Sequence, residues 1–230
     1  MKKPSLGAAS FGDVLNVVSA IMIGVALFLV FLVAPQEKEM GDLQRVFYFH
    51  VPSAWVGYLA LLVAFVASIL YLVRRNRRWD DVALASVEIG LVFMTQGIIT
   101  GSVWAKATWG VWWTWEPRLT TSAVLWVIYA SYLTLRRTIE ERDRQARLAA
   151  VYSILGFVSV PINFMAIRWW RTVHPLVFEG GSSNLEPSML AVLIFSVVTF
   201  TVFYFSLLTL RLRLAATEAQ VQQLKHQQEM

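Results

Sequence analysis

Six long runs of apolar residues recur along the chain, and a polar connection separates each run from the next. Most of the runs have the length of a helix that crosses roughly 30 Å of hydrocarbon. No run alternates polar and apolar residues as a membrane β-strand does, so we expect helices. The pattern predicts an all-α integral membrane protein with six transmembrane helices, near Val14–Ala34, Trp55–Val73, Val82–Val103, Thr121–Leu135, Leu148–Ile167 and Ser188–Leu210.

Composition favours the same interpretation. Hydrophobic residues make up 57% of the 230 residues and charged residues only 15%. One core of this size could not bury so much apolar surface, so lipid must cover part of it. The first run follows Lys2 and Lys3, as in a signal peptide, but no small-x-small cleavage site follows it, and we interpret it as a retained span. Cysteine is absent, which excludes disulfides and thiolate–metal bonds.

The distribution of Lys and Arg predicts the orientation in the membrane. Fourteen of these residues fall in the N-terminus, the second and fourth connections and the C-terminal tail, and six fall in the other three connections. Positive charge concentrates on the cytoplasmic side, so we expect both termini there and the other three connections on the outer face. Residues 1–213 form the expected membrane domain. Residues 214–230 form a polar cytoplasmic tail, expected to be a frayed helix or disordered.

The second outer connection, residues 104–120, is unusually rich in tryptophan. It holds five of the ten tryptophans of the chain. An aromatic belt at the membrane boundary explains the first two, but the others lie inside a connection rather than at the end of a span. Large flat rings in this position suggest an apolar shelf for a planar ligand such as a porphyrin edge. The five are Trp104, Trp109, Trp112, Trp113 and Trp115.

Charged residues accompany these tryptophans. Arg118 and Lys106 could neutralise the propionates of a porphyrin, and the guanidinium is the better fork for a carboxylate. Glu116 precedes Pro117, an arrangement that starts a helix. The residues alone leave open whether Glu116 caps the fourth span or contacts a ligand.

Two of the three histidines lie on the predicted outer side. His50 and His174 each precede a proline within two positions, whereas His226 lies in the tail. Neutral imidazole is the commonest metal ligand, and haem iron accepts one histidine on each face. The residues therefore suggest either a pair of axial haem ligands or two interfacial histidines that cap helices. Zinc is less favoured because no cysteine and no obvious third ligand joins them.

Polar and small residues inside the runs give further predictions. Glu88 in the third run is either a functional group or a paired side chain. Gly97 and Gly101 form a small-xxx-small pair, which favours close helix packing. Pro161 and Asn163 predict a kink in the fifth run.

Two segments resemble a known family. Ile99-Thr-Gly-Ser-Val-Trp104, with the following Trp109-Gly-Val-Trp-Trp-Thr-Trp-Glu-Pro-Arg-Leu-Thr120, resembles the WWD signature of haem-handling proteins. Phe47-Tyr-Phe-His-Val-Pro-Ser-Ala-Trp55 is similar to the outer histidine motif of one branch, the cytochrome c maturation protein C (CcmC) family. The resemblance covers nearly the whole chain apart from the tail. Glu116 departs from it, since the family usually has aspartate there, and its reach is longer by one methylene.

This resemblance implies a role in c-type cytochrome biogenesis. Haem b would be held at the outer face of the bacterial cytoplasmic (inner) membrane, with His50 and His174 as axial ligands. It would pass to the periplasmic haem chaperone CcmE. Implied partners are the ATP-binding cassette subunits CcmA and CcmB and the small membrane subunit CcmD. The chain has no phosphate-binding glycine loop, so ATP use would come from a partner, and no catalytic residue is expected.

Three alternatives stay open from the sequence. One is a haem synthetase of the CcsA or CcmF type, although those chains are usually larger. Another is a small-solute transporter with Glu88 and Gln96 lining its path. The third is a structural membrane subunit whose tryptophans are anchors.

Overall fold

The computed structural model describes residues 10–38, 40–170, 174, 178–179, 182–183 and 185–229. In these residues seven α-helices pack into a bundle. They are α1 (Phe11–Phe28), α2 (Phe47–Arg74), α3 (Arg77–Trp109), α4 (Pro117–Arg137), α5 (Arg142–Phe157), α6 (Ser159–Trp169) and α7 (Pro187–Glu229). A π-helical turn (Leu29–Val33) and a 3-10 helix (Asp42–Val46) join α1 to α2. Between α6 and α7, β1 (Phe178–Glu179) pairs antiparallel with β2 (Ser182–Ser183).

Local sequence explains where the helices begin and end. Ser10 accepts a hydrogen bond from the backbone of Asp13, whose side chain bonds back to Ser10, so α1 starts with a capping box. Asn76 caps α3 through its side chain. Gly110 ends α3 with φ +76°, a left-handed conformation that glycine adopts without strain.

Five helical stretches of the described chain are long and apolar enough to cross a membrane. They coincide with five of the six predicted spans. The remaining helix, α4, has 21 residues, which gives a length of about 31 Å at the usual rise. It lies within the bundle against α3, α5 and α6. The five stretches are Phe11–Val33, Asp42–Arg74, Arg77–Trp109, Arg142–Trp169 and Pro187–Gln228.

The pair α2 and α3 forms the centre of the bundle. Small residues bring the two helices together: a Cβ atom at Gly90 would lie 3.0 Å from the Cβ of Ala60. On one side the pair packs with α4, α5 and α6, where Leu61, Leu125 and Tyr129 are fully buried. On the other side it packs with α7, while α1 packs mainly against α7 at the edge.

Ion pairs tie the helices together at the end where α3 begins. Arg136 of α4 donates two hydrogen bonds to the carboxylate of Asp80, at 2.6 and 2.8 Å, and both side chains are buried. Arg211 of α7 pairs with Glu88 at 2.7 Å. Glu88 is therefore a paired side chain, as one of the two interpretations expects.

The fifth run is broken, as Pro161 predicts. The break between α5 and α6 lies at Val158, next to the carbonyl whose helical partner would be the missing N–H of proline. The sequence predicts a frayed helix or disorder for the tail, and the structure has a helix there, since α7 runs without interruption to Glu229. Arg142 at the start of α5 donates to the side chain of Gln222 at 2.6 Å, which ties part of the tail to the bundle.

Candidate functional site

A cavity of about 600 Å³ opens at the end of the bundle where α3 ends and α4 begins. Its walls come from α2, α3, α4, α6 and α7 and are mainly apolar. Small-molecule sites are typically cavities of about 300–1,000 Å³ with a few well-placed polar groups. Among its lining residues are both histidines of the predicted outer side, four tryptophans and Arg118.

His50 lies in the first turn of α2 and its ring orientation is fixed by α3. Its Nδ1 lies 3.0 Å from the carbonyl oxygen of Gly97 and 3.2 Å from the hydroxyl of Thr100. A carbonyl oxygen can only accept, so Nδ1 carries the hydrogen and Nε2 keeps its lone pair. Histidines that bind a metal through one ring nitrogen typically donate the N–H of the other nitrogen to a carbonyl or carboxylate in this way. Gly101 makes room for the ring, since a Cβ atom there would lie 2.9 Å from Cε1 of His50.

His174 approaches His50 from the connection between α6 and α7. The ring centroids are 6.2 Å apart and the ring planes are inclined by 45°. Burial lowers the pKa of His174 to about 3, and the charge of Arg118 and the neighbouring His50 add to this effect. The imidazole of His174 is therefore neutral at neutral pH, which is the form that binds a metal.

The separation of the two rings suits one metal ion between them. Imidazole nitrogen binds a metal at about 2 Å, and the nitrogen lies about 1 Å from the ring centroid. Two rings on opposite sides of one iron would then have centroids about 6 Å apart. The observed 6.2 Å agrees. In the part of the chain that the structure describes, His, Asp and Glu form no metal-binding group of three or more.

The five tryptophans of residues 104–120 fall into two groups. Trp104, Trp109 and Trp113 line the cavity, and Trp104 packs edge-on against Trp109 with ring centroids 5.4 Å apart. Trp112 and Trp115 are 59% and 78% exposed and do not line it. The sequence treats the five as one shelf, whereas the structure brings only three of them to the cavity.

The indole N–H groups of two cavity tryptophans, Trp104 and Trp113, are buried and have no hydrogen-bond partner among the described residues. An unsatisfied buried donor is costly, so native proteins rarely keep one. Both nitrogens lack accessible surface, so neither faces the open part of the cavity.

Arg118 lies in the cavity wall without a carboxylate partner in the described part of the chain. One of its nitrogens, Nη1, donates to the carbonyl of Asn163 at 2.6 Å, and Cζ lies 5.8 Å from the ring centroid of Tyr58. These two contacts orient the guanidinium and leave other N–H donors for an anionic group. Arg118 is therefore a cavity cation that suits a carboxylate.

Glu116 and Lys106 have other contacts. The side chain of Glu116 accepts from the backbone N–H of Leu119 at 3.2 Å and caps α4, as the helix-start interpretation expects. Burial raises the pKa of Glu116, while the N–H groups of Leu119 and Arg118 and the charge of Arg118 oppose that rise. Lys106 donates to the carbonyl of Gly110 at 2.8 Å, is exposed and does not line the cavity.

Asn163 joins the helices around the cavity, and the sequence indicated it only as part of a kink. It is 1% exposed, and its Oδ1 accepts from the hydroxyl of Tyr58. Its Nδ2 donates to the hydroxyls of Thr121 and Ser122, at 2.7 and 3.0 Å. A polar residue inside an apolar run is the signal that could have found it, because buried polar groups need partners.

Comparison with known proteins identifies the family. The family described as heme exporter protein C (CcmC) matches residues 6–227 of this chain. Heme exporter protein C of Bradyrhizobium diazoefficiens is similar to it, with 32% identity over 191 residues, which cover 82% of this chain and 72% of that protein. The protein of the same name from Escherichia coli strain K12 is 30% identical over 204 residues, or 86% of this chain and 81% of that protein.

A plant protein shows the same relationship. The putative cytochrome c biosynthesis ccmC-like mitochondrial protein of Marchantia polymorpha is 28% identical over 170 residues, which cover 74% of this chain and 72% of that protein. The family match spans almost the whole chain, including both histidines and all five tryptophans of residues 104–120. This chain therefore belongs to the CcmC family, described as heme exporter protein C.

Proposed function

We propose that this chain binds haem b between His50 and His174 at the outer face of the cytoplasmic membrane and delivers it to the periplasmic chaperone CcmE. Family membership supports a haem-handling role in cytochrome c biogenesis. Binding between the two histidines is supported by their ring centroids, which lie 6.2 Å apart inside a largely apolar cavity.

The residues of the cavity would bind haem as a transported substrate. Haem supplies an iron that accepts one nitrogen from each side and a flat apolar ring with two carboxylates. Nε2 of His50 has its lone pair because Nδ1 donates to Gly97. The apolar walls exclude water from the ring, and Arg118 can bind a carboxylate.

This kind of binding is reversible, as delivery requires. Histidine ligation and aromatic contacts form no covalent bond to the ligand, so haem can be released to an acceptor. We place that acceptor, the chaperone CcmE, at the exposed Trp112 and Trp115. Because the sequence has no phosphate-binding glycine loop, CcmA and CcmB would supply ATP hydrolysis, with CcmD as a further membrane subunit.

Removing each histidine tests the proposal. The purified protein should show the visible spectrum of haem with two histidine ligands. His50→Ala and His174→Ala should each lose that spectrum, because an iron with a single imidazole has an open position. His226→Ala is the matched control, since His226 is an exposed histidine in the tail.

Two results would contradict the proposal. The first is wild-type absorption that persists in both His50→Ala and His174→Ala. The second is a wild-type protein that takes up no haem when haem is added. A covalent haem–cytochrome product formed by this chain alone would instead favour the haem synthetase alternative.

A further inference from the structure

Several residues of α6 and α7 line the cavity and keep about half of their surface accessible. A cavity-lining residue with so much accessible surface indicates where the cavity is open. Phe164 of α6 is 51% exposed, and Ile194 and Val198 of α7 are 53% and 47% exposed, and all three line the cavity. Trp55 of α2, 47% exposed, meets the same two conditions. These four residues define the side mouth.

The two helices that flank the side mouth make no extensive contact with each other. Helix α6 packs against α4 and α5, whereas α7 packs against α1, α2 and α3. Among the described residues no hydrogen bond or ion pair joins α6 to α7. Their separation could therefore widen without the loss of a polar contact. The rim consists of apolar and aromatic side chains, which can change rotamer at little cost.

The side mouth lies at the depth of the lipid hydrocarbon. Phe164 is five residues from the end of α6, and Ile194 and Val198 are seven and eleven residues from the start of α7. At 1.5 Å per residue these positions lie about 8–16 Å below the helix ends. The hydrocarbon core is about 30 Å thick, so the side mouth faces acyl chains in one half of the bilayer. Its apolar rim suits that surrounding.

The guanidinium of Arg168 lies at the edge of the side mouth that is nearest the end of α6. Arg168 lines the cavity near the end of α6, and its Cζ lies 5.7 Å from the ring centroid of Phe164. An arginine at the end of a span extends its charge toward the headgroups while its stem stays in lipid. A flat amphiphile in the bilayer has the matching arrangement, with its apolar ring among the acyl chains and its carboxylates at the headgroups.

We propose that the ligand of this cavity passes sideways between the cavity and the outer half of the bilayer, through the side mouth. The inference rests on the proposed function in taking haem as the ligand and the histidine end as the outer end. The porphyrin ring enters edge-first between α6 and α7, and its carboxylates contact Arg168 at the membrane surface. The ligand then reaches His50 and His174 without crossing water.

Narrowing the side mouth tests this route. The double variant Ile194→Trp with Val198→Trp fills the opening with larger apolar side chains. Val92→Trp is the matched control, since Val92 on α3 is 66% exposed and does not line the cavity. The protein is reconstituted in phosphatidylcholine vesicles, and haem uptake from haem-loaded vesicles is followed by absorbance. Haem content at equilibrium is measured separately in detergent.

The expected result is a fall in the uptake rate from vesicles that exceeds any fall in haem content at equilibrium. The double variant should take up haem at least about tenfold more slowly, which corresponds to about 1.4 kcal/mol on the barrier. Its haem content in detergent should fall by a much smaller factor, and the Val92→Trp control should behave like the wild type in both assays. The opposite change, Ile194→Ala with Val198→Ala, should speed uptake, which a misfolded variant would not do.

Two outcomes would overturn the route. One is a wild-type uptake rate in the narrowed variant. The other is an equal loss of haem from that variant at equilibrium in detergent, because the side chains would then shape the site rather than its access. A wild-type protein that binds no haem in either assay would instead contradict the proposed function itself.

Discussion

Gly101→Ala should displace His50 without unfolding the protein. A Cβ atom at position 101 would lie 2.9 Å from Cε1 of His50 and 3.4 Å from its Nδ1. Carbon atoms settle at about 3.5–4.0 Å, so the imidazole ring must retreat by about 0.6–1.1 Å. Metal–ligand distances are defined to within about 0.2 Å, so this retreat is several times what a bond to iron tolerates.

The fold itself should tolerate the new methyl group. Alanine favours a helix over glycine by about 1 kcal/mol, and the atoms that must move belong to the imidazole ring and not to the backbone. The retreat also breaks the alignment of Nδ1 with the carbonyl of Gly97, now 3.0 Å away. Loss of such orienting contacts lowers metal affinity about 10–100-fold, and we expect haem affinity to fall by a factor in that range.

Gly97→Ala is the matched control for this prediction. It places the same substitution one turn earlier on α3, where a Cβ atom would meet only the backbone nitrogen of Ala54, at an ordinary 3.8 Å. The assay is the visible spectrum and haem titration of each purified variant, together with its thermal unfolding. Gly101→Ala should lose the two-histidine spectrum and keep its Tm, whereas Gly97→Ala should keep both.

Two results would refute this reasoning. A Gly101→Ala protein with the wild-type spectrum and affinity would show that the ring does not depend on the space at position 101. Equal haem loss in Gly97→Ala and Gly101→Ala would show that both glycines act through helix packing, as the small-xxx-small pattern alone suggests.

Three further predictions concern other residues. Trp113→Ala, which removes a cavity wall, should lower co-purified haem severalfold more than Trp115→Ala, because Trp115 is mostly exposed; pyridine-haem assays of both measure this. Arg118→Gln should weaken binding of haem more than binding of a porphyrin without carboxylates, whereas Lys106→Gln should affect neither; titrations with both ligands decide. Asp80→Asn should lower the free energy of unfolding by about 3–5 kcal/mol, because the buried guanidinium of Arg136 loses its carboxylate partner. The measurement is a lower unfolding midpoint in detergent.

Two glycines show what a local pattern can and cannot predict. Gly97 and Gly101 share one spacing, and the sequence predicts close packing for both. In the structure a Cβ atom at Gly97 would meet backbone of α2 at an ordinary distance, whereas one at Gly101 would strike the ring of His50. The two positions differ in which part of α2 faces them. His50 is 51 residues away from Gly101 in sequence, and only the packing of α2 on α3 brings its ring to position 101.

The five tryptophans of residues 104–120 give a similar lesson. Their density predicts a surface for a flat ligand, and three of them do line the cavity. Trp112 and Trp115 lie outside it. The sequence could not predict this, because the chain between α3 and α4 has no helical or strand period from which side-chain direction follows. The roles of all five in ligand binding stay predictions.

The sequence by itself determined the helical class, the positions of the apolar stretches and the family, because these depend on local composition, spacing and motifs. It also singled out His50, His174 and Arg118. Only the tertiary structure decided that the two imidazoles lie 6.2 Å apart, that Asn163 and Tyr58 orient Arg118, and that a side mouth opens between α6 and α7. Each of these depends on residues far apart in the chain, whose distances are fixed by how the helices pack and not by the pattern within any one of them.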